Sequence, residues 1–340
     1  MTVSQDDLKA FARFGETAEL LVELENNLFV KTEEYDEFRK RVFRVVEGRE
    51  ARLKAGRKEQ KGAALIGPAG SGKSRIAEEV INEYHALTQA SGGREFGCRI
   101  ISVIVPGRAT VRETLVAILK ALGYKAKGKI REEDTLANTV MTHLREHRVA
   151  AIHLDEVQDS GRFKTSDSVE TFSKRFRNFT QDQEWPVCLL MTATLEGRGM
   201  INHDPTLTRR LRPIEVKPIT FNESCQQLRG ALKQLLVDAK IYDPDHLLDE
   251  DEFIKILIHA AVGRLGVAIE MAIEAIGECV EDGNDEIEMG YFADAYAFRN
   301  DCDEEFNPFV SENWSTIDTG KALQRYQAES QQRRRRAKTN

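Results

Sequence analysis

The stretch Gly67-Pro68-Ala69-Gly70-Ser71-Gly72-Lys73-Ser74 constrains this chain more than any other. It fits G-x-x-x-x-G-K-[ST], the loop that cradles nucleotide phosphates. Apolar Ala63-Ala64-Leu65-Ile66 precedes it, as a short buried strand does. Ile76, Ala77, Val80, Ile81 and Tyr84 follow at helical spacing. Strand, glycine loop and helix form the setting the pattern requires. With no Cβ at Gly67, Gly70 and Gly72, backbone N–H groups can approach phosphate oxygens closely. A helix beginning near Lys73 turns its positive dipole end toward them. Lys73 is expected to reach the β- and γ-phosphates, and Ser74 to hold a magnesium ion. Pro68, Ala69, Ser71 and Arg75 complete the expected nucleotide cradle. The bland alternative is an ordinary glycine turn.

A second anchor lies about eighty residues on. Val149–Leu154 is an apolar strand interrupted only by His153, and it ends in Asp155-Glu156. His153 reads as a packed strand histidine rather than a ligand. Asp155 is expected to hold magnesium, directly or through water. Glu156 is expected to orient and deprotonate the attacking water. Val187–Met191 is a further buried strand, followed by Thr192-Ala193-Thr194. A threonine at this tip suits a contact with the γ-phosphate or the water. Both qualify and Thr194 is preferred. Thr206-Leu207-Thr208-Arg209-Arg210-Leu211-Arg212 then supplies arginines, which stay charged and bind phosphate bidentately. Arg210, with Arg209 as alternative, is the candidate finger into a neighbouring subunit's nucleotide. A basic surface loop is the competing reading.

Alternating strands and helices over 61–217 predict a parallel sheet with helices on both faces. Thr110-Val111-Arg112-Glu113 is a capping box opening a helix that should stop at Gly123. Residues 1–60 read as a helical extension packed on this domain, 218–300 as a helical lid, and 301–340 as an acidic and then basic tail. In the lid, Arg264 is a candidate to fold over the nucleotide, and a surface arginine is the equal alternative.

At 340 residues there is room for roughly two domains. The net charge of −7 gives no overall basic signature, so nucleic acid would have to meet a local patch. Lys125, Lys127, Lys129 and Arg131 form one such patch. Lys174, Arg175 and Arg177, opposite the apolar stripe Val169, Phe172, Phe176 and Phe179, form another or a merely solvated face. Five scattered cysteines without a C-x-x-C argue for a reduced, cytoplasmic protein and against zinc. The polar N-terminus is unlike a signal peptide. No apolar run approaches the ~20 residues of a membrane span.

Phosphate loop, D-E strand, polar strand tip, trailing arginines and helical lid, in that order, resemble the AAA+ ATPases over residues ~60–280. Within that class the chain resembles the transposition regulators called TniB or TnsC. The likeness rests on five stretches. They are Val105-Pro106-Gly107 with the helix ending Leu119-Lys120-Ala121-Leu122-Gly123; Leu154-Asp155-Glu156-Val157-Gln158-Asp159; Leu190-Met191-Thr192-Ala193-Thr194-Leu195-Glu196; Leu207-Thr208-Arg209-Arg210-Leu211-Arg212-Pro213-Ile214; and Asn307-Pro308-Phe309. Two departures stand out. Ala193 replaces a glycine. The lid arginine, usually three residues after a glycine, stands at 264, and Gly266 occupies the expected place.

The resemblance implies a homo-oligomeric ring or helical filament on double-stranded DNA, built with ATP and Mg²⁺ and taken apart by hydrolysis. It also implies a transposase partner and a target-selection protein. DNA would be held through its phosphates, without sequence preference and with strong salt dependence. Two other readings compete: an AAA+ ATPase of a secretion-linked or initiator-like system, and a scaffold that binds nucleotide without hydrolysing it. Glu156 counts against the scaffold.

Overall fold

The computed structural model describes residues 5–107, 109–124, 132–157, 166–203 and 205–320. The chain divides into two compact units, 31–217 and 1–30 with 218–340. The elements in chain order begin with α1 (Gln5–Asn27), α2 (Glu33–Lys54), β1 (Gly62–Ile66), α3 (Lys73–Ala90) and β2 (Arg99–Ile104). Then come α4 (Val111–Ala121), α5 (Glu133–Glu146), β3 (Val149–Asp155), α6 (Ser166–Thr180) and β4 (Cys188–Ala193). Next are α7 (Gly197–His203), α8 (Pro205–Leu211) and β5 (Pro213–Glu215), followed by α9 (Phe221–Ala239), α10 (Asp251–Ala260), α11 (Leu265–Glu281) and α12 (Met289–Asn300).

The first unit is an α/β layer structure. Its five strands are all parallel, in the order β2-β3-β4-β1-β5. Strands β1, β3 and β4 are buried along their whole length, which is why they read as unbroken apolar runs rather than alternating ones. Thr110 and Glu113 close the capping box on α4, and Gly123 follows it at φ 82°. Strand β5 was not expected. It is three residues long and only Ile214 is buried, too little for an apolar pattern to register. Pro213 opens it, where a missing N–H is tolerated.

Backbone bonds tie the carboxyl ends of the strands together. Gly67 N donates to Ala193 O at 3.1 Å, Val216 N to Ile66 O at 2.7 Å, and Val105 N to Asp155 O at 2.9 Å. The phosphate loop, the Asp-Glu pair and the threonine tip therefore share one rim, where ligands of open parallel sheets bind.

The extension expected over 1–60 is divided between the units. Phe38, Val42, Val45 and Val46 on α2 are buried, and α2 packs on β1, β4, β5 and α3. By contrast, α1 packs on α9 and α11. Leu24 is buried there with Leu228, Leu232 and Met271, and Leu20, Leu21 and Leu28 border the same cluster. Phe11, farther up the helix, is exposed. The division follows from two separate apolar faces, each filling a different core.

The tail expected from residue 301 is also corrected. Residues 301–320 pack into the helical unit. Asn307 Nδ2 donates to Ala293 O at 2.8 Å, and Asn307 Oδ1 accepts from Phe309 N at 3.0 Å. Phe309 sits among Phe253, Phe292 and Tyr296, with ring centroids 5.8–6.4 Å away. Phe309→Ala is expected to cost about 3–4 kcal/mol of the helical unit's stability, read as a lower urea midpoint. An unchanged midpoint would mean that this aromatic packing does not form. The basic run Arg333–Arg336 lies outside the described residues.

Candidate nucleotide site

Gly67 begins the loop at the end of β1 because nothing larger fits. A Cβ there would stand 2.9 Å from both Ser71 Oγ and Val216 Cβ. Gly72 caps α3 at φ 85°, the left-handed region that glycine enters without strain. Lys73 is 4 % exposed, and its Nζ donates to Pro68 O at 2.8 Å, folding the ammonium over its own loop. Ser71 Oγ is buried and has no hydrogen-bond partner among the described residues. An orphaned hydroxyl inside a loop of converging N–H groups fits a phosphate oxygen. Arg75, one turn into α3, pairs with Glu79 at 2.9 Å and Glu78 at 3.5 Å.

Asp155, 9 % exposed at the end of β3, faces this loop. Its Oδ1 accepts from Ser74 Oγ at 3.1 Å, from Glu156 N at 3.0 Å and from Thr192 Oγ1. Hydroxyl and carboxylate oxygens are the donors magnesium prefers, so Ser74 and Asp155 fit such an ion. Glu156 follows at φ 55°, a left-handed conformation costly for a side chain with a Cβ. Such strain concentrates at functional sites.

The two threonines of the β4 tip have different surroundings. Thr192 is fully buried, bonded to Asp155 and within 3.3 Å of His153 Nε2. Thr194 lies just past the strand, partly exposed, and donates to Glu196 at 3.1 Å. Its neighbour Ala193 accepts from Gly67 N, so Thr194 stands beside the start of the phosphate loop. His153 is 2 % exposed, and burial pushes its imidazole down to about 4, with the Asp155 charge opposing the shift. The ring is therefore neutral at physiological pH. Sequence reading treated His153 only as packing. The available signal was period-two spacing, which places His153 and Asp155 on one face of β3.

The arginines of α8 differ from each other. The Arg210 side chain is 6 % exposed. It gives Glu59 Oε1 bonds of 3.0 Å from Nε and 2.7 Å from Nη2, and gives Thr180 Oγ1 a bond of 3.2 Å from Nη1. These bonds hold the Glu59 carboxyl below its ordinary range. Arg209 is 69 % exposed, with a 3.3 Å contact to the same Glu59 oxygen. Arg210 is thus bound within its own unit, and Arg209 is the more exposed of the two.

The basic face of α6 carries partners of its own. Lys174 pairs with Glu170 at 2.5 Å, Arg175 with Asp134 at 2.7 Å and Glu133 at 3.0 Å, and Arg177 donates to Thr206 Oγ1 at 3.3 Å. Lys125, Lys127, Lys129 and Arg131 lie outside the described residues. Arg264 belongs to the helical unit, where it precedes α11 as its capping residue. Among the described residues no single helix is long and apolar enough to cross a membrane.

The sequence pattern of the family described as Bacterial TniB protein matches residues 33–220. No curated protein sequence matches. Among solved structures, the chain is similar to the ORC2 protein of Aeropyrum pernix in ADPNP-ADP complexes, at 13 % identity and TM-score 0.57, over 76 % of this chain and 67 % of that one. The ORC1 protein of Aeropyrum pernix in complex with DNA follows at 18 % identity and TM-score 0.54, over 76 % and 66 %. Cdc6p from Pyrobaculum aerophilum gives 14 % and 0.51, over 74 % and 65 %. The chain spans about two thirds of the length of these structures. At these identities the likeness establishes the fold alone, a parallel sheet flanked by helices.

Proposed function

This chain belongs to the bacterial TniB family, and we propose that it is an ATP-hydrolysing, DNA-bound regulator of transposition. In this reading, copies assemble on double-stranded DNA with ATP and recruit or activate a transposase, and hydrolysis ends the assembly. The observation that carries the hydrolytic part is the 3.1 Å approach of Ser74 Oγ to Asp155 Oδ1, with Glu156 next in the chain. Ser74 and Asp155 would hold magnesium, which when bound neutralises charge between the β- and γ-phosphates. Backbone N–H groups of the loop and Lys73 bind the phosphates. Ser71 offers its orphaned hydroxyl to the same group. Glu156 takes the proton of the attacking water, and Thr194 orients that water or the γ-phosphate.

DNA contacts are assigned to Lys125, Lys127, Lys129 and Arg131, with Lys174, Arg175 and Arg177 on α6. The ion pairs of α6 do not forbid this. The exposed Lys174–Glu170 pair contributes only about 0–1 kcal/mol, so DNA phosphates compete readily with Glu170. The partners, a transposase and a target-selection protein, follow from the family resemblance, as does the homo-oligomer.

Two measurements test this reading. Lys73→Ala should weaken ATP binding by about 10- to 100-fold, the loss expected for one charge-assisted contact worth roughly 1.5–3 kcal/mol. Unchanged affinity would remove the phosphate-loop assignment. Binding to a long random-sequence duplex should be cooperative, should require ATP or a slowly hydrolysed analogue, and should fall steeply with salt. Absence of binding in every nucleotide state would leave the ATPase standing but end the DNA-bound reading.

A further inference from the structure

A polar line crosses three strands beneath the Asp155 carboxylate. Ser102 on β2 is the register partner of His153 on β3. Ser102 Oγ lies 2.8 Å from His153 Nδ1, His153 Nε2 lies 3.3 Å from Thr192 Oγ1, and Thr192 Oγ1 bonds to Asp155 Oδ1. His153 and Thr192 are buried, while Ser102 is exposed at the outer end of the line.

Proton bookkeeping gives the line a direction. An ionised carboxylate only accepts, so the single hydroxyl proton of Thr192 goes to Asp155. The Thr192 oxygen then presents only lone pairs to His153, and Nε2 must carry the ring proton. Nδ1 is left as an acceptor, which Ser102 fills by donating. Every bond points the same way, toward Asp155. A threonine hydroxyl alone would be free to rotate, and the Nε2–H of His153 removes that freedom.

We propose that His153 is a positioning residue for Asp155, locking the Thr192 hydroxyl so that the carboxylate is held in the rotamer that faces Ser74 and a divalent cation. The inference rests on the reading of Asp155 as the metal-holding carboxylate. Groups that orient a metal ligand typically contribute 10- to 100-fold to metal affinity or activity. That is the size of effect at stake here, with no contact between His153 and the nucleotide.

The test is Mn²⁺ titration, followed by electron paramagnetic resonance, of protein loaded with a slowly hydrolysed ATP analogue. Turnover is measured in parallel with Mg²⁺. His153→Phe keeps an aromatic ring but removes the Nε2–H. It should weaken Mn²⁺ binding by about 10-fold or more and lower kcat while the KM for ATP stays near that of the unaltered protein. His153→Gln places an N–H near the Nε2 position and should recover most of the loss. Thr192→Val should match His153→Phe, and the double variant should lose nothing further, because both changes cut one line.

Unaltered Mn²⁺ affinity in His153→Phe, or full additivity with Thr192→Val, overturns the proposal. If His153→Phe does not fold, His153→Gln against His153→Asn decides, since asparagine places its N–H near Nδ1 instead. Equal Mn²⁺ affinities in that pair overturn the proposal, and a loss confined to asparagine supports it. Asp155→Asn separates the two levels. If it binds Mn²⁺ as well as the unaltered protein, the metal reading of Asp155 fails. If it does not, but His153→Phe binds normally, only the positioning role fails.

Discussion

Glu156→Gln is expected to keep ATP bound while turnover falls by about 10²- to 10⁴-fold, the range that a positioned general base supplies. The amide keeps the size of the side chain and some of its hydrogen bonding but cannot take the proton of water. Binding should survive because the phosphate contacts come from Gly67–Ser74 and not from Glu156. The left-handed backbone at Glu156, pinned by its own N–H on Asp155 at 3.0 Å, should be nearly as tolerant of glutamine. Assemblies formed with ATP should persist, since the step that ends them is blocked. The measurement pairs steady-state phosphate release with equilibrium nucleotide binding. Turnover retained within a few-fold would remove Glu156 as the base, and loss of binding would mean that the substitution disturbs the loop.

The second large effect separates two adjacent arginines. Arg209→Ala is expected to lower assembly-dependent hydrolysis by about 10³-fold or more, the range for an arginine finger, with nucleotide affinity of the isolated chain intact. Arg210→Ala should act on folding. Its guanidinium is buried and bridges Glu59 to Thr180, so truncation leaves the buried Thr180 hydroxyl short of a donor, a loss of about 1–3 kcal/mol. Thermal unfolding and ATPase activity at several protein concentrations tell the two apart. If Arg210→Ala folds normally and abolishes hydrolysis while Arg209→Ala does not, the roles are the reverse.

That distinction was not legible in the sequence. Thr208-Arg209-Arg210-Leu211 offers two equal arginines, and the partner that holds the buried one, Glu59, lies 151 residues earlier in a loop. Long-range pairing of this kind leaves no periodic trace. The sheet was legible because β1, β3 and β4 are buried on both faces and so are continuous in apolar residues. The phosphate loop was legible because glycine is demanded by contact, as the 2.9 Å clearances at Gly67 show. Strand β5 was too short to register. The Asn307–Phe309 segment was read as tail because its acidic approach, Asp301 to Glu305, masks two buried anchors. The role of Thr192 needed the register of three strands, which period-two counting alone does not supply.

The placement of α1 has a consequence for synthesis. Residues 31–217 leave the ribosome as one uninterrupted stretch, so the nucleotide-binding unit has all its strands before the helical unit has more than one helix. At about 5–20 residues per second, roughly 10 to 40 s pass before residues 218 onward begin to appear. Through that interval Leu20, Leu21 and Leu24 of α1, and Leu28 just past its end, await the cluster they pack with, because α9 and α11 do not yet exist. The newborn chain thus carries a leucine stripe without its partners through that interval. Alterations near the N-terminus should therefore act on yield and on the helical unit, leaving the phosphate loop's own unit able to form.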